Sequence, residues 1–275
     1  MSSVEMLEKK ATGIRKDIVE MICKAKSGHP GGSLSACDIV VSLYYSVMNI
    51  DPKNPLMEDR DRFVLSKGHA APLLYSVLAD KGYFSKELLG TLRQYGSPLQ
   101  GHPDMKKVKG VEISTGSLGQ GLSVANGMAL SAKMSNKDYR TYVVMGDGEL
   151  QEGQVWEAAM TSAHYKLDNL TVIVDFNNLQ IDGNVSDVKD VSPIDKKFEA
   201  FGWNVLTADG HDFNELLSAF EKAKSFKGKP TVIVASTVKG KGVSFMENVC
   251  DFHGKAPSKE ETEKAVEELS NVSEI

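Results

Sequence analysis

The chain has 275 residues, with 32 Lys plus Arg against 37 Asp plus Glu and a formal net charge of −5, a mildly acidic balance that offers nucleic acid no electrostatic footprint. The longest mostly apolar stretch, residues 39–48, is about half of what a bilayer-spanning helix needs and is interrupted by Ser42 and Ser46, so no membrane segment is expected. Residues 1–10 lack the apolar region of a secretory leader, and the widely spaced Cys23, Cys37 and Cys250 fit reduced thiols in a cytoplasmic protein.

Ile14, Ile18, Met21, Ile22 and Ala25 fall at helical spacing and predict a first helix that stops at Ser27-Gly28-His29-Pro30-Gly31-Gly32. A second helix is expected over residues 35–48. Short apolar runs at 63–65, 141–145, 170–174, 204–206 and 231–235 predict strands. Helical patterns lie between them, carried by Leu122, Ala125, Ala129 and Ala132, by Val155, Trp156, Ala159 and Ala163, and by Phe213, Leu216, Leu217, Phe220 and Ala223. Asp212 with Glu215, and Ser258 with Glu261, have capping-box spacing, the second opening a last helix over 258–269. Unbroken apolar strands alternating with helices predict an α/β fold, a doubly wound, mostly parallel sheet with helices on both faces, as one domain over residues 1–275. Ligands of such sheets sit past the carboxyl ends of the strands. Residues 178–195 form the longest irregular segment after a strand and are expected to be a functional or mobile loop.

Gly146-Asp147-Gly148 follows one predicted strand and Asp175-Phe176-Asn177-Asn178 follows another. Asn177 comes 30 residues after Asp147, about one β-α-β crossover, so neighbouring parallel strands would bring the two together at the ligand edge. A carboxylate, an amide oxygen and a nearby backbone carbonyl make a hard, oxygen-only half-shell for magnesium or calcium, completed by phosphate and water. The flanking glycines let a diphosphate approach the backbone, and a helix opening near Glu152 points its amide end at that charge. Taken alone, Gly-Asp-Gly reads equally as a tight turn and Asn-Asn as a strand terminus. Nucleotide binding loses support: there is no G-x-x-x-x-G-K-[ST] loop, and Gly116-Ser117-Leu118-Gly119-Gln120-Gly121 has its glycines in the wrong order for the dinucleotide fingerprint.

Gly146-Asp147-Gly148, 28 intervening residues and Asn177-Asn178 resemble the thiamine diphosphate motif. With Ser27-Gly28-His29-Pro30-Gly31, Ser66-Lys67-Gly68-His69-Ala70, Gly101-His102-Pro103, residues 115–121, residues 146–153, residues 177–183 and His253-Gly254, the chain is similar to transketolases, motif by motif and in order, over residues 10–257. The similarity is to the amino-terminal, diphosphate-binding domain only. It implies that Asp147, Asn177 and the backbone carbonyl of Leu179 hold Mg2+, with Ca2+ or Mn2+ as substitutes. It also implies a thiamine diphosphate site formed by His69, Gly148 and His253 at the diphosphate, Gly116 and Leu118 near the rings, and Ser117, Glu149 and Asn177 beside them. His29 and His102 would face the ketose hydroxyls and carbonyl, and His29, His69, His102 and His253 are candidates for proton handling. Glu152 is similar to the glutamate of the family's subunit-spanning hydrogen-bond network. Lys239-Gly240-Lys241-Gly242 either shapes the cofactor rim or is a solvated turn; His164 is assigned to packing and His211 to a turn and helix cap.

In the family, the glutamate that activates the aminopyrimidine belongs to a second, pyrimidine-type domain, and the sugar-phosphate arginines come largely from the same missing part. The resemblance therefore implies that this chain, ending at Ile275, is the amino-terminal subunit of a split transketolase that pairs with a carboxy-terminal subunit in a cytoplasmic α2β2 assembly. Its reaction would move a two-carbon ketol unit from a ketose phosphate to an aldose phosphate. Three alternatives stand beside it: the front part of a deoxyxylulose phosphate synthase, a dehydrogenase E1 α subunit, which the His-Pro-Gly and Gly-His-Pro elements fit less well, and an inactive cofactor-binding domain. The resemblance leaves open whether the sugars belong to pentose phosphate metabolism or to a specialised or sulfonated branch.

Overall fold

A computed structural model describes residues 3–271, so the terminus at Ile275 lies outside the described residues. The first helix, α1 (Ser3–Ala25), is amphipathic, and its buried stripe includes Leu7, Ala11, Ile14, Ile18 and Ile22. After it come two short helices, α2 (Pro30–Ser35) and α3 (Cys37–Ser42), then strand β1 (Arg62–Leu65) and helix α4 (Ala71–Lys81). The chain continues through α5 (Gly121–Met134), β2 (Thr141–Gly146), α6 (Gly153–His164) and β3 (Leu170–Phe176). A small antiparallel pair, β4 (Leu179–Gln180) and β5 (Gly183–Asn184), leads into α7 (Val185–Lys189) and α8 (Ile194–Ala200). The remaining elements are β6 (Asn204–Asp209), α9 (Phe213–Ser225), β7 (Thr231–Ser236) and α10 (Lys259–Asn271).

The five apolar runs form five strands of one parallel sheet, as expected, and their order is β1-β2-β3-β7-β6. Side chains alternate between two cores. Tyr142, Val144, Ile173 and Ile233 join the core under α1, α3, α4, α9 and α10, while Val143, Met145, Val172, Val174 and Val232 join the one under α5, α6 and α8. Burial on both faces is why these strands read as continuous apolar runs rather than alternating ones. Parallel register pairs Gly146 of β2 with Asp175 of β3, and that pairing puts Asp147 and Asn177 side by side at the carboxyl edge.

Three expectations need correction. The helix expected over 35–48 is instead α2, a break at Ala36, then α3 running into a π turn at Leu43–Val47. Pro30 opens α2 from the first turn, where its missing N–H is harmless, so Pro-Gly-Gly starts a helix as well as following one. The irregular segment over 178–195 holds the β4–β5 pair, α7 and the start of α8. The edge strand extends through Asp209, beyond the predicted 204–206. Both caps form at the predicted places. Ser258 and Glu261 bond reciprocally, whereas Asp212 caps α9 and Glu215 reaches back to the Asp209 amide rather than to Asp212. No described helix is long and apolar enough to cross a membrane.

Candidate active site at the strand carboxyl ends

A cavity of about 320 Å³ opens past the ends of β1, β2, β3 and β7. Its wall includes His29, His69, His102, His253, Glu152, Gly116, Leu118, Gly148, Glu149, Asp147, Asn177 and Leu179, which is every site residue expected from the sequence except Ser117. Ser117 is exposed and lies outside that wall, between two residues that form it. His164 ends α6, its ring packed on Tyr165 at 4.9 Å, away from the cavity.

The four imidazoles cluster around His29, whose ring centroid lies 5.3 Å from His69, 5.4 Å from His253 and 6.4 Å from His102. His69 and His253 are 5.1 Å apart. Burial, then the Arg93 charge, pushes His29 down to about 4, and burial, then Lys239, pushes His253 down to about 3. His69 is held well below the usual imidazole range by burial and Lys67, and His102 is lowered by burial and Arg93. All four are neutral at pH 7 and can each donate one hydrogen bond and accept another. Arg93 donates to Ser27 Oγ at 3.1 Å and to His29 Nδ1 at 3.5 Å. With that nitrogen accepting, the His29 proton is on Nε2.

Asp147 is 2% exposed. One of its oxygens accepts from the Gly148 amide at 2.8 Å and the other from the Asn178 amide at 2.5 Å. Burial, reinforced by Asp175, raises its carboxyl to about 6, so an added cation would stabilise its ionised form. Asn177 accepts from the Leu179 amide at 3.1 Å and donates to Asp175 at 3.3 Å, which fixes the orientation of its amide. The Leu179 carbonyl already accepts from a cation, the Lys239 ammonium, at 2.9 Å. Among the described residues no three His, Cys, Asp or Glu side chains are placed to hold a metal ion by themselves, but a set made of one carboxylate, one amide oxygen and one backbone carbonyl suits a hard divalent ion. These donors fit a magnesium-type cation.

Sequence reasoning missed most of the charge behind this wall. Lys67 is 2% exposed and pairs with Asp175, itself fully buried; Ser35 and Thr237 also donate to that carboxylate. Burial alone would raise Asp175, but Lys67 and these donors hold it below the usual range. Lys239, also 2% exposed, donates to His253 Nδ1 at 2.9 Å, so the solvated-turn reading of Lys239 does not hold. Burial and the neighbouring Lys67 lower it to about 8. The segments Ser66-Lys67-Gly68-His69 and Asp175-Phe176-Asn177-Asn178 put Lys67 and Asp175 beside site residues without revealing that they pair; nothing in the sequence singled out Arg93. The Glu149 carboxylate is taken up by Ser66 and by the Gly119 and Gly146 amides at 2.9 and 3.2 Å, so it holds the 116–121 loop against β2 rather than offering itself to a ligand. Glu152, the N-cap residue of α6, is exposed at the rim.

The chain is 47% identical to the 6-deoxy-6-sulfo-D-fructose transketolase subunit SqwG of a Clostridium species, the match covering 96% of both chains. It is 45% identical to an apulose-4-phosphate transketolase subunit of Phocaeicola vulgatus, covering 97% of this chain and 95% of that one. Among solved structures, the transketolase of Campylobacter jejuni superposes with a TM-score of 0.92 at 38% identity, over 98% of this chain and 43% of that one; this chain thus spans less than half of that enzyme. The family described as transketolase, thiamine diphosphate binding domain, matches residues 7–271, and the chain belongs to that family.

Proposed function

We propose that this chain is the coenzyme-anchoring subunit of a two-component transketolase, acting with a separate carboxy-terminal subunit in a cytoplasmic α2β2 assembly. The observation that carries the reading is the convergence, in one cavity, of four neutral imidazoles, two buried ammonium groups and the Asp147, Asn177 and Leu179 oxygens. Asp147, Asn177 and the Leu179 carbonyl would hold Mg2+, while Lys67, Lys239, His69 and His253 would face the diphosphate and Gly148, with no side chain, would let it approach the backbone. Bound thiamine diphosphate supplies the carbanion chemistry of ketol transfer. His29 and His102 would donate hydrogen bonds to the sugar carbonyl and hydroxyls and accept or return a proton as bonds there break and form. Glu152, exposed at the rim, is available to a second chain that completes the site.

That this chain matches nearly the full length of two proteins named as transketolase subunits supports the two-component reading. Their names, one a sulfonated ketose and the other apulose 4-phosphate, favour a specialised anionic sugar over a general pentose phosphate role. Mixing this chain with the product of a neighbouring transketolase-like reading frame should generate thiamine diphosphate-dependent ketol transfer that neither chain shows alone. Full activity of the isolated chain at nanomolar concentration would refute the two-component assignment.

A further inference from the structure

His211 precedes α9, and its backbone sits in the expected turn, the amide donating to Asp209 at 2.8 Å. Its side chain reaches much farther. Nδ1 lies 2.8 Å from Asp38 Oδ2, and Nε2 accepts the backbone N–H of Val238 at 2.9 Å. Because Nε2 accepts, the ring proton is on Nδ1 and is donated to Asp38. Asp38 is in turn gripped by both terminal nitrogens of Arg15, at 2.9 and 2.7 Å, and the Arg15 Nε donates to the Lys241 carbonyl at 3.1 Å. Arg15 and Asp38 are both buried.

These contacts bracket the segment that follows β7. Thr237 bonds Asp175, the Val238 amide bonds His211, the Gly240 amide bonds the Gly31 carbonyl at 3.0 Å, and the Lys241 carbonyl bonds Arg15. The turn before His211 is pressed onto the same segment: a Cβ on Gly210 would lie 2.4 Å from Thr237 Cγ2 and 3.0 Å from the Ser236 carbonyl. Between the His211 and Arg15 contacts stands Lys239, whose ammonium enters the cavity and meets Leu179 and His253.

We propose that the Arg15, Asp38 and His211 cluster is a positioning element for the coenzyme site, with His211 pinning the Val238 amide and so fixing where the Lys239 ammonium stands. His211 does not touch the cavity and is not a catalytic residue. The functional part of this inference rests on the coenzyme reading of the cavity; the mechanical part does not.

His211→Asn and His211→Gln separate the two ring contacts in the full chain. An Asn amide can still donate to Asp38 but stops short of Val238, whereas a Gln amide has the reach to serve both. Loss of that one hydrogen bond should raise the open population of the 237–241 segment about tenfold. Acetic anhydride labelling read by mass spectrometry should therefore show faster acetylation of Lys239 in His211→Asn, with Lys67 unchanged and His211→Gln close to wild type. The dissociation constant for thiamine diphosphate with Mg2+ should rise about tenfold in His211→Asn and return in His211→Gln. Equal Lys239 labelling in folded wild-type and His211→Asn chains would overturn the proposal. Should the Asn variant fail to fold, amide exchange in the wild-type chain still decides: protection at Val238 is expected, and free exchange there would overturn it. If the wild-type chain holds no coenzyme even with its partner, the coenzyme reading fails while the labelling still judges the role of His211.

Discussion

Protonation of the cavity imidazoles should cost the coenzyme-free chain stability as the pH falls, well before ordinary carboxylates are titrated. An imidazole in the unfolded chain takes up a proton near 6.5, whereas in the fold His29 does so only near 4 and His253 only near 3, chiefly because both are buried and secondly because Arg93 and Lys239 stand beside them. The unfolded chain thus binds protons that the native chain refuses, so the stability present above pH 6.5 is lost as the pH falls toward the folded-state values. Between pH 7.5 and 5 the full shifts would cost about 2 kcal/mol for each of the two rings, and screening by the solvent that partly reaches both brings this to about 1 kcal/mol each. Asp147 opposes it: with its carboxyl raised from 3.8 to about 6, it gains a proton in the fold first, which returns about 1 kcal/mol at pH 5. The net loss for these three groups is about 1 kcal/mol, and His69 adds to it in the same direction. Urea unfolding at the two pH values, with imidazole midpoints from NMR, tests this. Glu149, Glu112, Asp61 and Asp17, all raised by burial, act in the same sense as Asp147 on the whole chain, so the imidazole midpoints decide: values near 6.5 for His29 and His253 would refute the electrostatic account of the cavity.

Asp147→Ala should weaken magnesium-dependent thiamine diphosphate binding by about a hundredfold in calorimetry, and an unchanged affinity would remove Asp147 from the metal set. Lys67→Met leaves the Asp175 carboxylate buried without its cation and should destabilise the chain by about 3–5 kcal/mol in urea; adding Asp175→Asn should recover part of it, and a loss below about 1 kcal/mol would contradict the pairing. Gly240→Ala places a methyl 2.3 Å from the Met246 carbonyl at a φ of +82°, so thermal unfolding should show a loss of about 3 kcal/mol.

The sheet was legible because strands such as 141–145 and 231–235, covered by helices on both faces, must be apolar throughout. The spacing from Asp147 to Asn177 then followed from the length of one crossover. Other features left no local trace. The two-residue strands β4 and β5 are too short for any periodicity, and Pro30-Gly31-Gly32 carries the same residues whether a helix ends or begins there. The pairing of Lys67 with Asp175 and the contacts of Arg93 with Ser27 and His29 join residues distant in sequence, so they appear only once the fold is closed. The side chain of His211 belongs to the same class: its local sequence describes the turn it sits in, while Asp38 and Val238, which it joins, lie 173 and 27 residues away.

Asp175 draws donors from Ser35 ahead of the sheet, Lys67 after β1, Asn177 after its own strand and Thr237 after β7. A chain that has assembled only its first half, or only its second, cannot close this knot, and the ammonium and amide groups around it stay unanchored. The inner wall of the cavity is thereby the last part of the molecule to set, finished only when residues from Ser35 to Thr237 have met.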